Sequence, residues 1–102
     1  MKVEAAFIFV APDADMNVHS HTIKTPVINL HVTGVKDYEE GVLAARSMAA
    51  KGVRVIELCG GFGNAGTAMI AQAVGPDVKV GTVKFDCHPG LEFKSGDDVF
   101  IK

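Results

Sequence analysis

The chain has 102 residues, 10 of them Lys or Arg and 12 Asp or Glu, for a formal charge of −2 with histidines neutral. That balance lacks the basic field needed to hold a phosphate backbone or an anionic bilayer, so neither nucleic acid nor a membrane is an expected partner. Apolar residues make up 48% and charged ones 22%, enough to bury the core of a single domain over residues 1–102 and too little charge for a disordered chain.

The start, Met1-Lys2-Val3-Glu4, carries an acid where a signal peptide enters its apolar region, and no run approaches the ~20 apolar residues of a membrane span. A cytoplasmic location is therefore expected. Ala5 to Val10 is a continuous apolar run closed by Pro12, the pattern of a central strand. Residues 13–25 have the length of a short helix, although Thr25 before Pro26 must be extended. Val27 to Thr33 alternates, with Ile28, Leu30 and Val32 on one face and Asn29, His31 and Thr33 on the other, as in an edge strand.

Asp37 followed by Glu40 is a carboxylate variant of the capping box, and Tyr38, Val42, Ala45 and Ala49 follow at helical spacing until Gly52. Val53 to Leu58 reads as a strand, Asn64 to Val74 as a helix ended by Gly75-Pro76, and Val78 to Phe85 as a strand. Leu91 to Lys94, then Ser95-Gly96-Asp97, then Val99 to Lys102 reads as a hairpin. This order predicts an α/β fold, three-layer, with a mostly parallel sheet of about four strands and a C-terminal hairpin.

In such a sheet ligands bind beyond the carboxyl ends of the strands, where helix N-termini direct their N–H groups. Cys59-Gly60-Gly61-Phe62-Gly63-Asn64 falls there, and its three glycines can turn tightly and present amides to an anion or simply make a strand-to-helix turn. The spacing Gly61-x-Gly63-x-x-Gly66 also matches a dinucleotide fingerprint, with Asp86 at the end of the next strand. Too little chain follows for a second nucleotide-binding half, so nucleotide binding ranks third among the readings.

Cys59, just before a helix, is a candidate nucleophile, with His88 as its base, Asp86 orienting and Glu57 supporting from within its strand. A buried thiol without a chemical role and a Glu57–Lys84 ion pair are the plainer alternatives. Two cysteines outside any C-x-x-C spacing make neither a disulfide framework nor a zinc ribbon. His19-x-His21 has ligand types, but a helix would turn the two rings apart, so no metal and no cofactor is expected.

Phe7 to Pro12, Val35 to Glu40, Glu57-Leu58-Cys59-Gly60-Gly61-Phe62-Gly63 and Phe85-Asp86-x-His88-Pro89-Gly90-Leu91 together resemble an uncharacterised bacterial family of α/β proteins about a hundred residues long. The resemblance covers nearly the whole chain. It implies a stand-alone small α/β protein and supplies no catalytic residues.

The expected function is binding of a small molecule, in first place an anion, with enzymatic use left open; Gly60, Gly61, Phe62, Gly63 and Asn64 hold the ligand, and Cys59, His88, Asp86 and Glu57 carry any chemistry. The alternative is a non-catalytic oligomeric interaction module. Either way a homo-oligomer is expected through the helix over 64–75, which contains no charged residue.

Overall fold

The computed structural model describes residues 2–83 and 86–101. Val3–Val10 (β1) is the middle strand of a five-stranded sheet of order β2-β3-β1-β4-β5, with Ser20–Lys24 (β2), Ile28–Val35 (β3), Val55–Leu58 (β4) and Lys79–Thr82 (β5). β3, β1, β4 and β5 run parallel, and β2 is antiparallel to β3. The fold class follows the patterning: α/β, with a mostly parallel sheet.

The connections from β3 to β4 and from β4 to β5 step across the sheet in one direction. Right-handed crossovers then put both intervening helices on the same face. Tyr38–Ala50 (α1) and Asn64–Val74 (α2) pack against each other there; Ile8, Val35, Ile56 and Leu58 are sealed beneath them, and Ile70 of α2 is buried with them. Asp37 caps α1 by accepting from the Glu40 N–H at 2.9 Å, while Glu40 accepts from the amides of Lys36 and Met16 and ties the preceding loops to the helix.

Four expectations need correction. Residues 13–24 form turns and then β2, because Thr25 closes a hairpin: its N–H donates to the Ile28 carbonyl at 2.8 Å and its hydroxyl oxygen accepts from the Ile28 N–H at 2.9 Å. β2 adds to the outer side of β3, so the 27–33 strand is interior and the sheet, expected to have about four strands, has five. The tail is helical where a hairpin is expected. Ser95 is an N-cap that accepts from the Asp97 N–H, and Gly96–Phe100 (α3) seats Phe100 on the Tyr38 ring at 5.4 Å. Because α3 packs on the same side as α1 and α2, no third layer covers the other face of the sheet among the described residues. The end of the expected 78–85 strand, including Lys84, lies outside the described residues.

The uncovered face is apolar. In the β1–β3 register Val3 lies beside Ile28, Ala5 beside Leu30, Phe7 beside Val32, and the Phe9 ring lies against Gly34. Ile28 is 37% exposed, whereas Thr33, on the polar face of the same strand, is 5% exposed on the helix side. The alternation of this strand is thus read correctly from sequence, but the polar face is the inner one.

Candidate functional site

The glycine loop is already engaged by the chain itself. Gly63, the N-cap of α2, has no side chain to accept from the first turn, and the Asp97 carboxylate of α3 accepts from the Ala65 and Gly66 amides at 2.9 and 3.1 Å. Tyr38 completes the arrangement: its hydroxyl oxygen accepts from the Gly63 N–H at 2.9 Å, and its O–H lies 3.1 Å from Asp97 Oδ1. Burial, with Asp97 adding to it, pushes the Tyr38 phenol far above its ordinary value, so the hydroxyl stays protonated. A Cβ at Gly63 would collide with the Asp97 carboxylate, and one at Gly66 with the Tyr38 ring. Two glycines of the dinucleotide-like spacing therefore admit the protein's own side chains. Two further loop donors also turn inward, Gly61 N–H to Cys59 Sγ and Phe62 N–H to the Cys59 carbonyl.

Beside this loop, at the carboxyl ends of β1 and β4, a cleft of about 190 Å³ is lined by Val10, Ala11, Pro12, Cys59, Gly61, His88, Gly90 and Leu91. The structure thus brings together Cys59 and His88. Cys59 Sγ accepts from the Val10 and Gly61 amides at 3.5 and 3.3 Å. His88 Nδ1 accepts from the Gly90 N–H at 2.8 Å, which assigns the ring proton to Nε2 in the neutral form and takes up the lone pair a base would use. Asp86 is exposed and accepts from the Cys87 N–H. Glu57 points away from the cleft, exposed on the open sheet face.

A larger cavity, about 380 Å³, opens where β2 extends beyond the cover of α1. Ser20, His21, Thr22, His31 and Thr33 line it from the sheet, and Met48, Lys51 and Val53 from the end of α1 and the segment after it. The β2–β3 register places Thr22 opposite His31, and the β1–β3 register places Ala6 beside His31 and Glu4 beside Asn29. The short Ala6 side chain leaves the imidazole room to reach Glu4. The result is a chain of contacts: Thr22 Oγ1 to His31 Nδ1 at 2.9 Å, His31 Nε2 to Glu4 Oε1 at 2.8 Å, and Asn29 Nδ2 to Glu4 Oε2 at 2.7 Å.

A carboxylate only accepts, so the nitrogen facing Glu4 carries the proton. In the neutral ring Nδ1 is then the acceptor, and the Thr22 hydroxyl donates to it. Strand alternation puts His31 on a polar face with Thr33, but Glu4 and Thr22 lie on other strands, and nothing local along the sequence joins them to it. Among the described residues no group of three or more His, Cys, Asp or Glu could hold a metal ion, and His19 is engaged as an acceptor from the Asp15 N–H.

Two measurements test these networks. Asp97→Ala removes the acceptor for two helix amides and is expected to cost about 1–2 kcal/mol in urea unfolding, with Asp97→Asn costing less; an unchanged midpoint would show that water caps the helix equally well. The hydrogen bond from His31, then that from Asn29, holds the Glu4 carboxyl below its ordinary value. A folded-state pKa below the unfolded one contributes stability above the unfolded value and loses it as pH falls through the folded one. The Glu4→Gln variant should therefore be less stable than wild type near pH 6, and the gap should close as both are acidified below the usual carboxylate range.

The described helices include none long and apolar enough to cross a membrane. No curated protein and no solved structure matches the chain. A match over residues 3–98, spanning all five strands, α1, α2 and the start of α3, shows that the chain belongs to DUF6506, a family of unknown function.

Proposed function

We propose that the protein binds a small, acceptor-rich molecule, a carboxylate or phosphate, in the cavity between the β2–β3 hairpin and the end of α1. The observation that carries this reading is the polar lining: Ser20, Thr33 and Lys51, with the Thr22–His31 pair between the strands, border a cavity of about 380 Å³. That volume is in the range of small-ligand pockets, about 300–1,000 Å³. The cleft beside Cys59 has about half that volume, and the Gly61, Ala65 and Gly66 amides near it already donate within the chain. The ligand class expected from the sequence is kept, and its place moves from the carboxyl ends of the strands to the sheet edge.

Titration of ¹⁵N-labelled protein with acetate and with inorganic phosphate tests this. Amide shifts should concentrate at Ser20, Thr22, Thr33 and Lys51, and Lys51→Ala should weaken binding at least several-fold, as loss of a charge-assisted hydrogen bond does. Shifts confined to Cys59–Gly61 and Gly90–Leu91 would return the site to the carboxyl-end cleft.

A second reading, self-association, is favoured by the open sheet face. Val3, Ile23, Ile28 and Val55 are exposed there, with Phe7 and Phe9 half-buried among them. Strand spacing and rise give this face roughly 400–500 Å² in plan, and side-chain relief brings it toward the about 800 Å² per partner of a standard interface. Glu57 and Lys79 supply one charge of each sign to the same face, which a two-fold axis can pair. This surface offers larger apolar side chains to a second copy than the helix over 64–75, where Gly66 and Ile70 are buried and the exposed positions are Asn64, Ala68, Ala71 and Gln72. Light scattering should return about twice 10.8 kDa, and Phe7→Lys should return the single-chain mass; a wild-type mass of one chain at high micromolar concentration would exclude this reading.

A further inference from the structure

We propose that Thr22 is a nucleophile, activated by His31 and held in register by Glu4, and that the cavity accepts a small activated carboxylic ester. The inference rests on reading this cavity as a ligand site and assigns it a reaction. Three observations converge. The hydroxyl, imidazole and carboxylate are linked in that order at 2.9 and 2.8 Å. The acceptor-only carboxylate sets the tautomer, leaving His31 Nδ1 with its lone pair toward the Thr22 O–H. Thr22 also lines the cavity, next to the space a bound ester would fill. This is the nucleophile–base–orienter logic of acyl transfer, recognised by roles and not by sequence order.

The step balances as follows. Thr22 Oγ1 forms a bond to the ester carbonyl carbon while its proton passes to His31 Nδ1, and Glu4 stabilises the imidazolium through Nε2–H. Ser20 and Thr33 from the sheet and Lys51 from the end of α1, which line the same cavity, supply donors for the oxygen that gains charge. The bond to the leaving alcohol breaks as His31 returns the proton to it, and acyl-Thr22 remains. Water then attacks the acyl carbon, gives a proton to His31 and releases the acid, and the proton returns to Thr22. Thr22 and His31 are the catalytic residues; Glu4 is a positioning residue that acts through His31.

The cross-strand network has a purely architectural alternative, in which the same contacts only satisfy polar groups at the sheet edge. Incubation of the full chain with p-nitrophenyl acetate separates the two. The expected result is a burst of one nitrophenolate per chain, with one acetyl group found on Thr22 by peptide mass spectrometry. His31→Gln should slow the burst by about 10²-fold or more, Thr22→Val should abolish the adduct, and Thr22→Ser should keep it, each at an unfolding midpoint that verifies the fold. Glu4→Gln should lower the acylation rate constant while leaving acetate affinity unchanged. Acetylation only at Cys59, Cys87 or lysines, or a Thr22→Val burst equal to wild type, would overturn the proposal. If the amide shifts with acetate persist in that case, the binding reading stands alone; if they are absent too, both fall.

Discussion

The Asp97 carboxylate at the start of α2 is the contact on which the rest of this structure depends. A helix beginning at a glycine cap has donors with no local acceptor, and Asp97 arrives from the end of the chain to supply one. Tyr38 links the same carboxylate to α1, stacks on Phe62 at 5.3 Å and receives Phe100 on its other side. Two helices, the glycine loop and the C-terminal segment are thereby joined around one buried phenol. The glycines at 63 and 66 allow that close approach.

This arrangement has a consequence for where ligands can go. The carboxyl ends of parallel strands are the usual binding edge because helix amides are available there. Here those amides are occupied by a charge of the protein's own. The polar groups that converge on open space lie instead at the other margin of the helical face, where α1 stops short of the antiparallel β2. The same one-sided layering leaves Phe7, Phe9, Leu30 and Val32 without a helical cover, so the sheet presents a donor-rich cavity on one face and an apolar surface on the other.

Much of the fold was legible from local pattern. The apolar run of β1, the Asp37–Glu40 cap, the helix from Asn64 and the glycines that end both long helices each depend on neighbours within a few residues, where propensity and periodicity act. The tail was misread because Ser95-Gly96-Asp97 suits a hairpin turn and a helix N-cap equally, and only the docking of Phe100 on Tyr38 separates them. β2 was missed because a short polar strand has no apolar periodicity of its own. Of the candidate site residues, Cys59 and His88 do share a cleft, whereas Glu57 faces the opposite side of the sheet.

The α/β class, the helix caps and the two-faced character of the 28–35 strand are written in residues close along the chain. Only the tertiary structure decided which face of that strand turns inward, what occupies the glycine loop, and that Glu4, Thr22 and His31 meet. The reason is register. Pairing of β1 with β3 and of β3 with β2 sets side chains from three separate segments within hydrogen-bond distance, and a shift of one residue would send each to the opposite face.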